Sequence, residues 1–125
     1  MNWTATAAIM LSLAVAIGAF GAHGLQGKLD AYSTGIYEKG VFYHFIHALG
    51  MLAVPLFVRA GLISKGAGAW TGWLLLAGIV LFSGSLYMLA ITGVRTLGAI
   101  TPFGGASFIA AWIVLAVCAS LSRSH

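Results

Sequence analysis

Residues 70–91 read WTGWLLLAGIVLFSGSLYMLAI, an unbroken apolar run without a single Asp, Glu, Lys or Arg. Trp70 and Trp73 mark one end, where amphipathic rings favour the level of lipid headgroups. At about 1.5 Å of rise per residue the run is about 33 Å long as a helix, enough for a hydrocarbon core of about 30 Å. Three further stretches have the same character: residues 3–25, 41–58 and 102–121. None contains a charged Asp, Glu, Lys or Arg side chain.

Four such runs fill most of a chain of 125 residues, in which charged residues make up 6% and hydrophobic ones 61%. A soluble domain carries about 25% charged residues. Mean hydropathy is +1.02. Inside a bilayer the backbone must satisfy its own hydrogen bonds, and the runs lack the alternating polarity of barrel strands. The expected fold is all-α: a four-helix transmembrane bundle running up-down-up-down, as a single integral membrane domain over residues 1–125. The short connections favour antiparallel neighbours.

Between the first two spans, Leu25–Gly40 is the most polar connection. Leu29, Tyr32, Ile36 and Tyr37 recur at helical spacing, with Asp30, Ser33 and Lys39 on other faces. This predicts a short amphipathic interfacial segment, open to continuity with the second span and weakened by Gly35 and Gly40. Pro55 predicts a kink, and Thr101-Pro102 a capped helix start. Gly18, Gly21 and Gly24 share one side of the first helix and predict close approach of a neighbour, as does Gly84 in the third span. The first span lacks a basic leader and is expected to be retained.

The formal charge is +4, but the six basic residues stand singly near span ends, as anchors to anionic lipid, so membrane lipids are the expected partners and nucleic acid is not. Lys28, Lys39 and Arg95 fall on one side of the expected bundle, and Arg59, Lys65 and Arg123 on the other. This balance leaves orientation to the α-amino group, which places the termini in the cytoplasm of a bacterial plasma (inner) membrane. Cys118 is single and lies in the last span, where a thiol behaves as a small hydrophobe.

Polar side chains collect on the half opposite the termini: His23, His44, His47, Ser83, Ser85, Tyr87 and Arg95 form the candidate polar site or interface, with Asp30, Glu38 and Tyr43 nearby. His44 and His47 are three apart and share a helix face. Two histidines plus His23 would make three ligands, the number a catalytic zinc uses. No carboxylate is fixed beside them by spacing, so no metal and no cofactor is expected. No G-x-S-x-G, Walker A or H-E-x-x-H pattern is present, and Ser83-Gly84-Ser85 has no partner base. No catalytic residue is assigned. His47 is read as an interhelix hydrogen-bonder whose partner is Tyr87 or a backbone carbonyl near His23.

Four motifs carry a family resemblance: G-A-F-G-A-H-G (18–24), Y-H-F-I-H-A-L (43–49), L-F-S-G-S-L-Y (81–87) and L-G-A-I-T-P-F-G-G (97–105). In this order they resemble the DUF423 family of small bacterial membrane proteins, related to eukaryotic transmembrane protein 256. The resemblance covers residues 5–120 and departs from the family pattern at Ile46 and His44. It implies a membrane bundle of unknown function and no established catalytic residues.

The leading functional reading is non-enzymatic: an accessory or interaction subunit of a membrane complex, or a homo-oligomer. The rival is a small-molecule site, for a lipid, a quinone or a proton relay, around His23, His47 and Tyr87. A small transporter is the third reading. It lacks the membrane-embedded carboxylate such proteins use, since Asp30 and Glu38 are both read as preceding the second span.

Overall fold

The computed structural model describes residues 1–122, and Arg123 and His125, which entered the charge reading and the polar census, lie outside the described residues. The chain is helical, with no strand among the described residues. Four helical stretches are long and apolar enough to cross a membrane: Trp3–His23, Ala31–Arg59, Lys65–Thr92 and Arg95–Ser122.

Helix α1 (Trp3–His23) starts where the Asn2 side chain accepts the Ala5 N–H at 3.0 Å, satisfying one of the orphan donors of the first turn. It ends at Gly24, and Gly27, with φ +75°, turns the chain back. Asp30 then caps α2 (Ala31–Arg59) by accepting the Ser33 N–H at 2.7 Å. That amide and the Ser33 hydroxyl hold the Asp30 carboxyl below its ordinary range, with Arg95 adding to the effect.

The amphipathic segment is therefore the first turns of α2. The helix is continuous from Ala31 to Arg59, although Pro55 has no N–H to give to the Met51 carbonyl. The Gly35 position opens onto empty space, so its cost is limited to about 1 kcal/mol of helix propensity. The helix also continues through Pro55. At 29 residues α2 is about 44 Å long, well beyond the hydrocarbon thickness.

Helix α3 (Lys65–Gly78) begins five residues before Trp70, because the Ser64 hydroxyl accepts the Ala67 N–H at 3.1 Å. Trp73 meets Trp3 edge to face, with ring centroids 5.3 Å apart. The span then loosens into a π segment (Ile79–Ser83), where the Gly84 N–H reaches back five residues to the Ile79 carbonyl. Helix α4 (Gly84–Thr92) completes it and closes at Gly93 in the left-handed conformation, φ 71°. A short 3₁₀ turn (Arg95–Ala99) leads into α5 (Thr101–Ser122). Thr101 is the first residue of α5, and its hydroxyl pairs with Ser85 at 2.6 Å across the helix boundary.

The buried core comprises Ala7, Ala48, Met51, Val54, Leu75, Ile79, Phe108 and Ala111. Small and large side chains alternate because lipid offers no hydrophobic drive between helices, leaving close packing to hold them. Gly104 makes the tightest approach to another helix's backbone among the described glycines: a Cβ there would lie 2.3 Å from the Phe82 backbone nitrogen, so α5 rests directly on the backbone of the π segment. Large apolar side chains such as Ile9, Leu13, Phe103 and Ile113 are exposed, which suits a lipid-facing surface.

Candidate functional site

Of the glycines expected to receive a neighbouring helix, Gly18 and Gly21 face α2. A Cβ at Gly21 would lie 2.2 Å from the Tyr37 ring, and one at Gly18 would be 3.4 Å from Val41. Gly24 and Gly84 do not behave this way. Gly24 caps α1, and a Cβ there would meet Phe20 of its own helix; Gly84 opens onto empty space.

The polar side chains divide into separate groups. His44 is 2% exposed, and its Nδ1 lies 2.8 Å from the Tyr87 hydroxyl. Tyr87 is therefore the partner of His44, not of His47, for which the sequence offers Tyr87 or a carbonyl near His23. The Tyr87 ring also contacts Tyr37 at 5.4 Å between centroids, and Tyr37 donates its hydroxyl proton to the Ile17 carbonyl of α1. The Nε2 of His44 is buried without a hydrogen-bond partner.

His47 sits in an aromatic stack. Its ring lies 3.5 Å from that of Phe108, nearly parallel at 10°, with Trp112 and Tyr43 further out. Its Nδ1 is 2.7 Å from the Tyr43 carbonyl one turn back in α2. A carbonyl only accepts, so Nδ1 carries the proton and the neutral ring keeps its lone pair on Nε2. This local bond replaces the expected interhelix one. Because the stack against Phe108 supplies most of the fit, His47→Phe is expected to melt within about 1–2 kcal/mol of wild type and His47→Gln lower, by detergent thermal unfolding. Equal melting of the two variants would show that the stack is unimportant.

His23 is exposed at the end of α1, whereas His44 and His47 are buried. Among the described residues no group of three or more His, Cys, Asp or Glu comes together to hold a metal ion. Ser83 donates to the Gly40 carbonyl at 2.7 Å, tying the π segment to α2. Ser85 bonds to Thr101 and to the Phe82 carbonyl. Arg95 is exposed and sits 5.8 Å over the Tyr32 ring, a cation–π contact that pins the 3₁₀ turn to the start of α2.

A groove of about 670 Å³ opens on the other side, between α1 and α2. Its apolar walls include Ala22, Val41, Phe42 and Phe45, and its polar end holds Gln26, Thr34 and Glu38. Glu38 lies inside the second spanning helix, not before it. The sequence reading missed this groove. Its signal was the spacing of Thr34, Glu38, Val41 and Phe45 along one face of α2.

Residues 17–105 match the family model described as a protein of unknown function (DUF423). The chain belongs to the DUF423 family. Within DUF423 it is similar to the UPF0382 membrane protein YwdK of Bacillus subtilis, with 51% identity over 90% of each chain. It is also similar to UPF0382 membrane proteins of Staphylococcus epidermidis, at 52% identity over 88% of each chain, and of Staphylococcus saprophyticus, at 48% over 88% of this chain and 89% of the relative. No solved structure matches. These membrane-protein relatives and the four long apolar helices together make this DUF423 chain a membrane protein.

Proposed function

We propose that this DUF423 protein performs no chemistry of its own and serves as an accessory or interaction subunit of a bacterial inner-membrane assembly, or as a homo-oligomer. The observation that carries this reading is how the polar half is used. Tyr37, Ser83, Ser107 and the His44–Tyr87 pair each spend their hydrogen bond on a different helix or on the π segment. Such bonds register helices against one another. A catalytic constellation would instead present a nucleophile, a base and an orienting group converging on one open point. The reading follows the chain as up-down-up-down with cytoplasmic termini; thiol labelling of Asn2→Cys in a Cys118→Ser background, from the periplasmic side of intact cells, would overturn that orientation.

The test is gentle extraction from the native membrane followed by cross-linking and mass measurement. The expected result is a stoichiometric protein partner or a defined oligomer. A monomer that turns over a substrate would refute the reading.

A further inference from the structure

We infer that the groove between α1 and α2 is a binding site for a single phospholipid whose headgroup ends in a primary ammonium group, with one acyl chain lying along the groove. The proposal is independent of the scaffold reading.

Dimensions come first. Thr34 to Ile46 spans twelve residues of α2 along the groove, about 18 Å, close to the roughly 15 Å depth of one bilayer leaflet. With the boundary near Lys39, the groove runs from headgroup level to Ile46, seven residues or about 10 Å into the hydrocarbon. Its volume of about 670 Å³ lies within the range of drug-sized ligand pockets, which suits one acyl chain and not a whole two-chain phospholipid.

Polarity is graded in the same direction. Counting about 20 residues of hydrocarbon-spanning helix back from Arg59 brings the bilayer boundary to Lys39, beside Glu38. Val41, Phe42, Phe45 and Ile46 lie on the hydrocarbon side of that level, and Thr34 and Glu38 on the water side.

Charge then selects the headgroup. The protein is cationic overall, with a formal charge of +4, yet the only charged side chain lining the groove is Glu38. Its carboxylate is exposed and has no ion-pair or hydrogen-bond partner among the described residues. An ammonium group pairs with it; an anionic headgroup is repelled. Gly18, Gly21 and Ala22 line the α1 side; Val41 and the Tyr37 ring pack against the two glycines, and the exposed Ala22 is the small residue left for an acyl chain to lie against.

Native mass spectrometry of the full chain, released from micelles doped with equal phosphatidylethanolamine and phosphatidylglycerol, tests this. The expected result is one retained phosphatidylethanolamine in preference to phosphatidylglycerol. Glu38→Gln should reduce that preference about fivefold, the factor equivalent to about 1 kcal/mol for one headgroup-level charge. Ala22→Trp, filling the groove from an exposed position, should reduce retention of both lipids without changing the melting temperature. Equal retention of the two lipids by wild type, or a preference unmoved by Glu38→Gln, would overturn the proposal. So would a dimer abolished by Ala22→Trp, which would make the occupant a second copy of the chain. Because Glu38 is exposed, its variant folds and decides the matter even if Ala22→Trp does not fold.

Discussion

Gly104→Ala is expected to cost more stability than any other single methyl added to the protein, about 3 kcal/mol or more. The added Cβ would lie 2.3 Å from the Phe82 backbone nitrogen and 2.7 Å from its Cα. Flexible side chains relieve such contacts by rotating; a helix backbone does not. Helix α5 would have to move off the π segment, disturbing the seat of Phe108, which packs against Gly78, and with it the His47 stack. Two controls isolate the effect. A Cβ at Gly105 would meet Phe82 at 3.8 Å, ordinary contact, and one at Gly84 would meet nothing. Both alanine variants should be neutral or gain up to about 1 kcal/mol from helix propensity. Thermal unfolding in detergent checks the order: Gly104→Ala melting level with Gly84→Ala would show that α5 does not rest where the structure has it.

The spans were legible because lipid imposes a condition each segment meets alone: four runs without a charge can be counted in the sequence. Everything that depends on how two helices meet was harder to read. Gly18, Gly21 and Gly24 share a helical stripe, but the stripe ends where α1 ends. Gly24 is thus a terminator while Gly21 seats Tyr37. Periodicity cannot make that distinction without the helix boundary. The π segment has no local signature in Ile79–Ser83; it depends on α5 arriving at Gly104 and on Ser83 reaching the Gly40 carbonyl. Depth alone leaves Tyr87 or a backbone carbonyl near His23 as the partner of His47. Depth was a fair guide, but azimuth decides contacts, and His44, three residues earlier, holds the facing direction. Glu38 reads as preceding the second span because that span is taken as the charge-free run 41–58. The Asp30 cap starts a single helix that runs through Gly35 and Gly40 into the span, so Glu38 stands on the same helix and lines the groove.

The other large effect is expected at the His44–Tyr87 pair, and a double-mutant cycle reads it. Tyr87→Phe removes the hydroxyl 2.8 Å from His44 Nδ1. Since Nε2 is already without a partner, the variant leaves both ring nitrogens unsatisfied on a residue only 2% exposed. The expected loss is about 1–3 kcal/mol, the range for stranding a buried polar group. His44→Leu strands the Tyr87 hydroxyl but also removes the unpaired Nε2, so its cost should be the smaller of the two. The double variant removes both ends and should cost less than the sum, with a coupling of about 1 kcal/mol or more. Hydrogen bonds between membrane helices average about 0.6 kcal/mol in such cycles, because the separated helices find other partners. A larger value is expected here because the contact is closed to water on α2 and braced by the Tyr37 ring on the far side of Tyr87. A coupling indistinguishable from zero would mean that the 2.8 Å contact holds nothing together. The polar half of the bundle would then need a role other than registering helices, and the scaffold reading would lose the observation on which it stands.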